Sequence, residues 1–340
     1  MKHLKAMTSK IKGKGEILRF AQNDKQGKGT GSWVFARDDK QSRNDKEKVH
    51  IMKTHILILF CTLFILSGCS KGAPVGLPGV VMSPDGVPIS YEVYPGKDPT
   101  LVFVHGWSCD SRYWKEQIPY FAKKYRVVTI DLPGHGHSGM QRNRYTMASF
   151  GKDVKAVVDA VGADKVILIG HSLGGGVISQ AATLMPEKVI GLVGVDTLHN
   201  VAHSLTPKEL EGMIGPIQSD FRSGTKAFVS QMILPGADPV LVEWIKNDMA
   251  SAPPQAALSA MNAYLGQYVT GESTEPYSQI DAPIVSINTD QWPTDVESNR
   301  KYMKKYDVMI IKGAGHFLML ENPDQFNKAL AKVIKQISNS

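Results

Sequence analysis

The sequence predicts an α/β fold, with a mostly parallel eight-stranded sheet, helices on both faces and one inserted helical cap. Three observations predict it. Between residues 79 and 340, short apolar runs alternate with helix-length segments, the pattern of strand–helix–strand units. Several of the runs, such as KVILIG and RVVTI, are unbroken rather than alternating, as strands buried on both faces require. A single long stretch, between Asp196 and Ile284, breaks the rhythm with segments such as LVEWIKNDM and QAALSAMNAYLGQY, apolar at helical spacing.

Strands are expected at Gly79–Met82, Ile89–Val93, Leu101–Val104, Arg126–Ile130, Val166–Ile169, Val189–Val195, Ile284–Ile287 and Val308–Ile311. Asp85-Gly86 between the first two reads as a hairpin turn. Helices are expected over Arg112–Lys123, Met147–Val161, Leu173–Met185, Thr294–Lys305 and Asp324–Ile337. The cap, at about 197–280, counts as an insertion rather than a second domain, because both of its flanks belong to one sheet. There is no internal repeat.

Composition narrows the function. Apolar residues make up 42% of the 340, which excludes a fully disordered chain, and three cysteines are too few for a disulfide scaffold. The net charge of +7 invites a nucleic-acid partner, but its location argues otherwise. Residues 1–51 carry 13 Lys+Arg and 6 Asp+Glu, whereas residues 69–340 carry 25 and 26, a net of −1. No nucleic-acid partner is expected.

Residues 1–51 are polar, glycine-interrupted and without an apolar period, so this leader is expected to be disordered. From Met52 the pattern changes to a basic start, an apolar run over Ile56–Leu66, and small residues before Cys69. That is a secretory signal over 52–68, too short to span a bilayer, and translation is expected to start at Met52. Leu66-Ser67-Gly68-Cys69 resembles the lipobox of bacterial lipoproteins. The resemblance implies a lipidated Cys69 and a protein anchored to a membrane of the cell envelope, periplasmic or on the outer surface; residues 69–78 read as a tether. Cys109 would then be the remaining thiol of the folded part, with no intramolecular disulfide.

The chemistry centres on Gly170-His171-Ser172-Leu173-Gly174, a G-x-S-x-G directly after a strand and opening a helix. Ser172 is the candidate nucleophile, and a serine needs a base. His316, in Gly313-Ala314-Gly315-His316-Phe317 just past the last strand, is the candidate base, at a strand's carboxyl end where such sheets gather their sites. Asp290, after the strand IVSI, is favoured as the acid that orients it, with Asp196 as the alternative and Asp295 a helix-capping rival. Oxyanion donors are expected at the main-chain N–H groups of Leu173 and of Trp107, in Val104-His105-Gly106-Trp107. His105 is expected to brace that loop.

His135 and His137 raise the question of a metal, but no third ligand accompanies them, and no metal or cofactor is expected. Met213, Met232, Met249 and Met261 either line an adaptable apolar pocket or simply pack the cap helices, and Trp107, Trp114 and Trp292 invite the same two readings.

HGW, DLPGHGHS, GHSLGG and GAGHF, in that order, resemble the α/β-hydrolase superfamily over residues 79–338. The resemblance implies a Ser-His-Asp triad, an acyl-enzyme, no cofactor and a substrate-selecting cap. By position it puts Ser172 as nucleophile, His316 as base, Asp290 as acid, and Trp107 and Leu173 as oxyanion donors. Two features depart or discriminate. NTDQWPTD lacks the glycine that the family usually carries before its acid, and Ser172, in place of Asp, argues against dehalogenases and epoxide hydrolases. The expected activity is hydrolysis of a small-molecule carboxylic ester. Rival readings are a lactonase, an amidase or peptidase, a carbon–carbon hydrolase, a cofactor-free perhydrolase, or a small-ligand receptor on the same scaffold.

Overall fold

The computed structural model describes residues 74–339. The expected leader over 1–51, the signal over 52–68, Cys69 and the first part of the tether lie outside the described residues.

Eight strands form one sheet: β1 (Leu77–Met82), β2 (Pro88–Tyr94), β3 (Lys97–Val104), β4 (Tyr125–Ile130), β5 (Val166–His171), β6 (Val189–Val195), β7 (Ile284–Thr289) and β8 (Tyr306–Ile311). Their order is β1-β2-β4-β3-β5-β6-β7-β8. β2 is antiparallel to both neighbours, and every other pairing is parallel. The central strands are mostly apolar and buried because helices cover both of their faces. Val166, Ile167, Leu168 and Ile169 of β5 are fully buried, each such side chain contributing about 1.5–3 kcal/mol. The edge strands β1 and β8 keep partly exposed residues.

Helices α1 (Ile118–Phe121), α2 (Met147–Ala160) and α3 (Leu173–Leu184) fall between the strands up to β6. Here the structure differs from the single helix expected over 112–123. A 3-10 turn, Ser111–Trp114, precedes α1, and Pro119 explains the break, since its ring and missing N–H do not fit a helix interior. α2 starts at a capping box in which Thr146 and Ser149 bond each other's main chain.

The segment between β6 and β7 is helical: α4 (Pro207–Ser219), α5 (Phe221–Ser230), α6 (Pro239–Met249), α7 (Pro254–Thr270) and a 3-10 stretch, Glu272–Gln279. Thr206 caps α4 with Glu209 as reciprocal partner, and Asp220 stops α4 and caps α5 through the Ser223 N–H. Several contacts hold these helices to the sheet domain, three of them from the loop after β3. Arg112 pairs with Asp248 of α6, the Trp107 indole N–H donates to Ala257 O of α7 (2.7 Å), and the Tyr113 and Trp244 rings stack 4.9 Å apart.

After β7 the chain forms α8 (Val296–Arg300), capped by Asp295 through the Ser298 N–H, then β8, α9 (Leu318–Glu321) and α10 (Pro323–Ser338). α8 is shorter than the helix expected over 294–305, because the chain must turn back to enter β8 at Tyr306.

Candidate active site

Ser172 sits between the end of β5 and the start of α3 with φ 53° and ψ −121°, a conformation that costs a non-glycine residue about 1–3 kcal/mol. The surroundings hold it there. Its N–H donates to Val195 O (3.0 Å), and its C=O accepts from the Gly175 N–H (2.9 Å). The turn packs so closely on the end of β3 that a Cβ on Gly174 would stand 2.7 Å from Val104 O and 2.8 Å from His105 O. Strand, sharp turn and helix thus push a half-buried serine out at the sheet's carboxyl edge.

His316 follows β8 and is buried. Its Nδ1–H donates to Asp196 Oδ2 at 2.6 Å, which leaves Nε2 as the acceptor nitrogen. Asp196, at the end of β6, is 1% exposed and has φ 44°. Its second oxygen accepts from the Thr289 N–H (2.9 Å) and the Thr289 hydroxyl (3.0 Å). Burial opposes ionisation of Asp196, but the imidazoles of His199 and His316 outweigh it and hold the carboxyl well below the usual range. His199 Nε2 lies 3.6 Å from Asp196 Oδ1, too long for a normal hydrogen bond.

Asp290, favoured from sequence as the acid, is not the partner of His316. β7 ends at Thr289, which faces Asp196; Asp290 lies just past the strand, is exposed, and its Oδ1 accepts from the Gly313 N–H (3.1 Å). The alternative, Asp196, occupies the place beside the imidazole. Asp295 caps α8 instead.

Ser172, His316 and Asp196 open on one cavity of about 840 Å³, over which the helices between β6 and β7 lie. Trp107 and Leu173 line it, and Leu173, as the first residue of α3, has no intrahelical acceptor for its N–H. Gly106 lets the Trp107 loop approach, since a Cβ there would stand 2.7 Å from His171 Nδ1. Met213, Met232, Met249 and Met261 all line the cavity, as does Trp292, whose ring stands edge-on to His316 at 5.6 Å. Trp114 does not. It is buried against Phe103.

A family model described as the alpha/beta hydrolase fold matches residues 99–323. The chain belongs to the α/β-hydrolase family. Among curated proteins, it is 25% identical over 251 residues to a pimeloyl-acyl-carrier-protein methyl ester esterase of Aeromonas hydrophila, covering 68% of this chain and 93% of that protein. It is 34% identical over 108 residues to the dihydrolipoyllysine-residue acetyltransferase component of an acetoin cleaving system of Cupriavidus necator. That match spans 32% of this chain and only 29% of the longer protein. Among solved structures, a thermophilic esterase from Thermogutta terrifontis superposes with TM-score 0.66 at 21% identity, over 77% of this chain and 99% of that one.

In this α/β-hydrolase, His105, His135 and His137 sit in the loops after β3 and β4. His105 Nδ1–H donates to Gly106 O (2.8 Å), while its Nε2 accepts from the Leu132 N–H (3.0 Å), joining the loops after β3 and β4. His137 Nδ1 lies 3.1 Å from Asp131 Oδ2, and His135 Nδ1 lies 3.1 Å from Pro133 O. Among the described residues, no group of three or more His, Cys, Asp or Glu is arranged to hold a metal ion. Sequence reasoning missed Thr289, whose strand-end position beside Asp290 was its only signal, and His199, three residues beyond Asp196.

Burial, with the neighbouring His316 adding to it, pushes His171 down to about 3, and burial with His105 pushes His135 down to about 3. Unfolded, each titrates near 6.5. Between roughly pH 6.5 and 3 the unfolded chain therefore binds protons that the folded chain refuses, and stability falls as pH drops through that window. The slope is about 1.4 kcal/mol per pH unit for each histidine. Urea unfolding between about pH 7 and pH 5 checks this, and His135→Gln is expected to flatten the slope by one proton's worth. An unchanged slope contradicts the assignment.

Proposed function

We propose that this α/β-hydrolase is a serine hydrolase acting on small carboxylic esters through an acyl-enzyme on Ser172. One observation carries the reading: a buried Asp196–His316 pair, joined at 2.6 Å, opens on the same cavity as a serine held at a strained strand–helix turn. On this reading His316 Nε2 takes the Ser172 proton as Oγ bonds to the acyl carbon, and Asp196 supports the imidazolium. The N–H groups of Leu173 and Trp107 receive the oxyanion, and the positive end of α3 favours its charge. His316 then gives its proton to the leaving alcohol. A water, deprotonated by the same nitrogen, adds to the acyl carbon, and collapse returns Ser172 and frees the acid.

The cavity's apolar lining, methionines and tryptophans among it, supports an ester with apolar substituents. The lipobox-like Leu66–Cys69 supports an envelope location through lipidation of Cys69. Turnover of p-nitrophenyl esters, from acetate to octanoate, tests the activity. Measurable kcat/KM, greater for longer acyl chains than for acetate, is expected. Covalent labelling by a fluorophosphonate with no turnover of any ester, lactone or amide would favour a small-ligand receptor instead.

A further inference from the structure

The main chain around His316 is gripped from three sides. Its N–H donates to Met232 O, just beyond α5 (3.0 Å), and its C=O accepts from His171 Nε2 (3.0 Å). The residues on either side donate to a single carboxylate. The Gly315 N–H bonds Glu321 Oε2 at 2.9 Å, and the Phe317 N–H bonds Glu321 Oε1 at 3.0 Å. The fit is close, because a Cβ on Gly315 would stand 2.8 Å from Met232 O and 3.0 Å from each Glu321 oxygen.

A carboxylate suits this place chemically. It presents two acceptor oxygens and no donor, whereas an amide presents one of each. We propose that Glu321 is a positioning residue for His316, and this inference rests on the serine-hydrolase reading. Its two bonds set the loop so that the ring meets Asp196 on one side and the cavity on the other. Its negative charge, electrostatically coupled to His316, favours the imidazolium formed in each half-reaction. The groups facing His316 are Asp196 from the end of β6, His171 from β5, Trp292 from the loop after β7, and Phe317, with His199 on the far oxygen of Asp196. Of these and Glu321, the two carboxylates supply the negative charge. Burial raises the Glu321 carboxyl above the usual carboxylate range, and the two N–H groups oppose that rise by favouring the carboxylate.

Glu321→Gln in the full chain tests this, because glutamine satisfies one N–H, opposes the other and removes the charge. The expected result is a kcat lower by about 10–100-fold with KM within about twofold, as for residues that orient a catalytic group. The acidic limb of the kcat profile moves to lower pH, and fluorophosphonate labelling of Ser172 slows in parallel. A kcat within about twofold of wild type and an unmoved limb would overturn the proposal, whatever the change in melting temperature. Should the Gln variant not fold, Glu321→Asp decides. The shorter carboxylate keeps the charge but does not span both N–H groups, so a several-fold lower kcat at wild-type KM is expected, and wild-type kcat overturns the proposal. If the wild type turns over no ester, the hydrolase reading fails separately. Titration of the His316 ring by NMR then reads the inference: a downward shift in Glu321→Gln supports it, and no shift overturns it.

Discussion

Ser172→Ala is expected to reduce ester turnover to the uncatalysed background, a loss of about 10⁶-fold where serine and histidine act as a unit. The fold should survive the change. Ser172 is half-buried, and the interactions that keep the turn in place are the main-chain bonds to Val195 and Gly175, which alanine retains. Alanine tolerates the positive φ no worse than serine, so the melting temperature should move by no more than a few degrees. Steady-state kinetics on p-nitrophenyl butyrate, with a thermal melt beside them, check both halves. Undiminished turnover at wild-type stability would remove Ser172 from the chemistry.

Asp196→Asn is expected to have the next largest effect, a fall in kcat of about 10⁴-fold. The amide is nearly isosteric, but if its NH₂ faces His316 it favours the wrong tautomer, and it no longer stabilises an imidazolium. With the amide turned the other way its NH₂ meets Thr289 instead, whose N–H and hydroxyl both donate to Oδ1. Asp290→Asn should leave kcat within about twofold, because the exposed Asp290 accepts from the Gly313 N–H rather than from His316, and an amide oxygen accepts that bond as well. The two variants measured side by side separate the acids, and a larger loss at Asp290 would reverse the assignment.

Why sequence favoured Asp290 over Asp196 as the partner of His316 is physical. Both aspartates end buried apolar strands, and both lie between Ser172 and His316 in the chain. In a strand buried on both faces there is no polar alternation to tell which of two neighbouring residues turns toward the site. Thr289 and Asp290 are such neighbours, and the structure turns Thr289 inward. The missing glycine in NTDQWPTD was the one visible sign that this loop differs from the usual acid loop.

The strands themselves were legible for the same reason that the acid was not. Runs such as VILI and IVSI have nowhere to sit but the middle of a covered sheet, and all eight expected strands are present. The helices erred where a local rule outweighed apolar spacing, at Pro119 and at the turn into β8. That Ser172 and His316 open on one cavity could be anticipated because a G-x-S-x-G turn and a strand-end histidine carry their own local context. Glu321 could not, since its role depends on two main-chain N–H groups that no side-chain pattern announces.

The central claim is that Ser172 is the residue that becomes acylated. Mass spectrometry of the wild-type chain after treatment with a fluorophosphonate tests it most directly. One adduct per chain is predicted, on the peptide bearing Gly170-His171-Ser172-Leu173-Gly174, together with loss of ester turnover in proportion to labelling. Ester turnover that persists with Ser172 fully modified, or an adduct that forms on another residue and accounts for the inactivation, would contradict it.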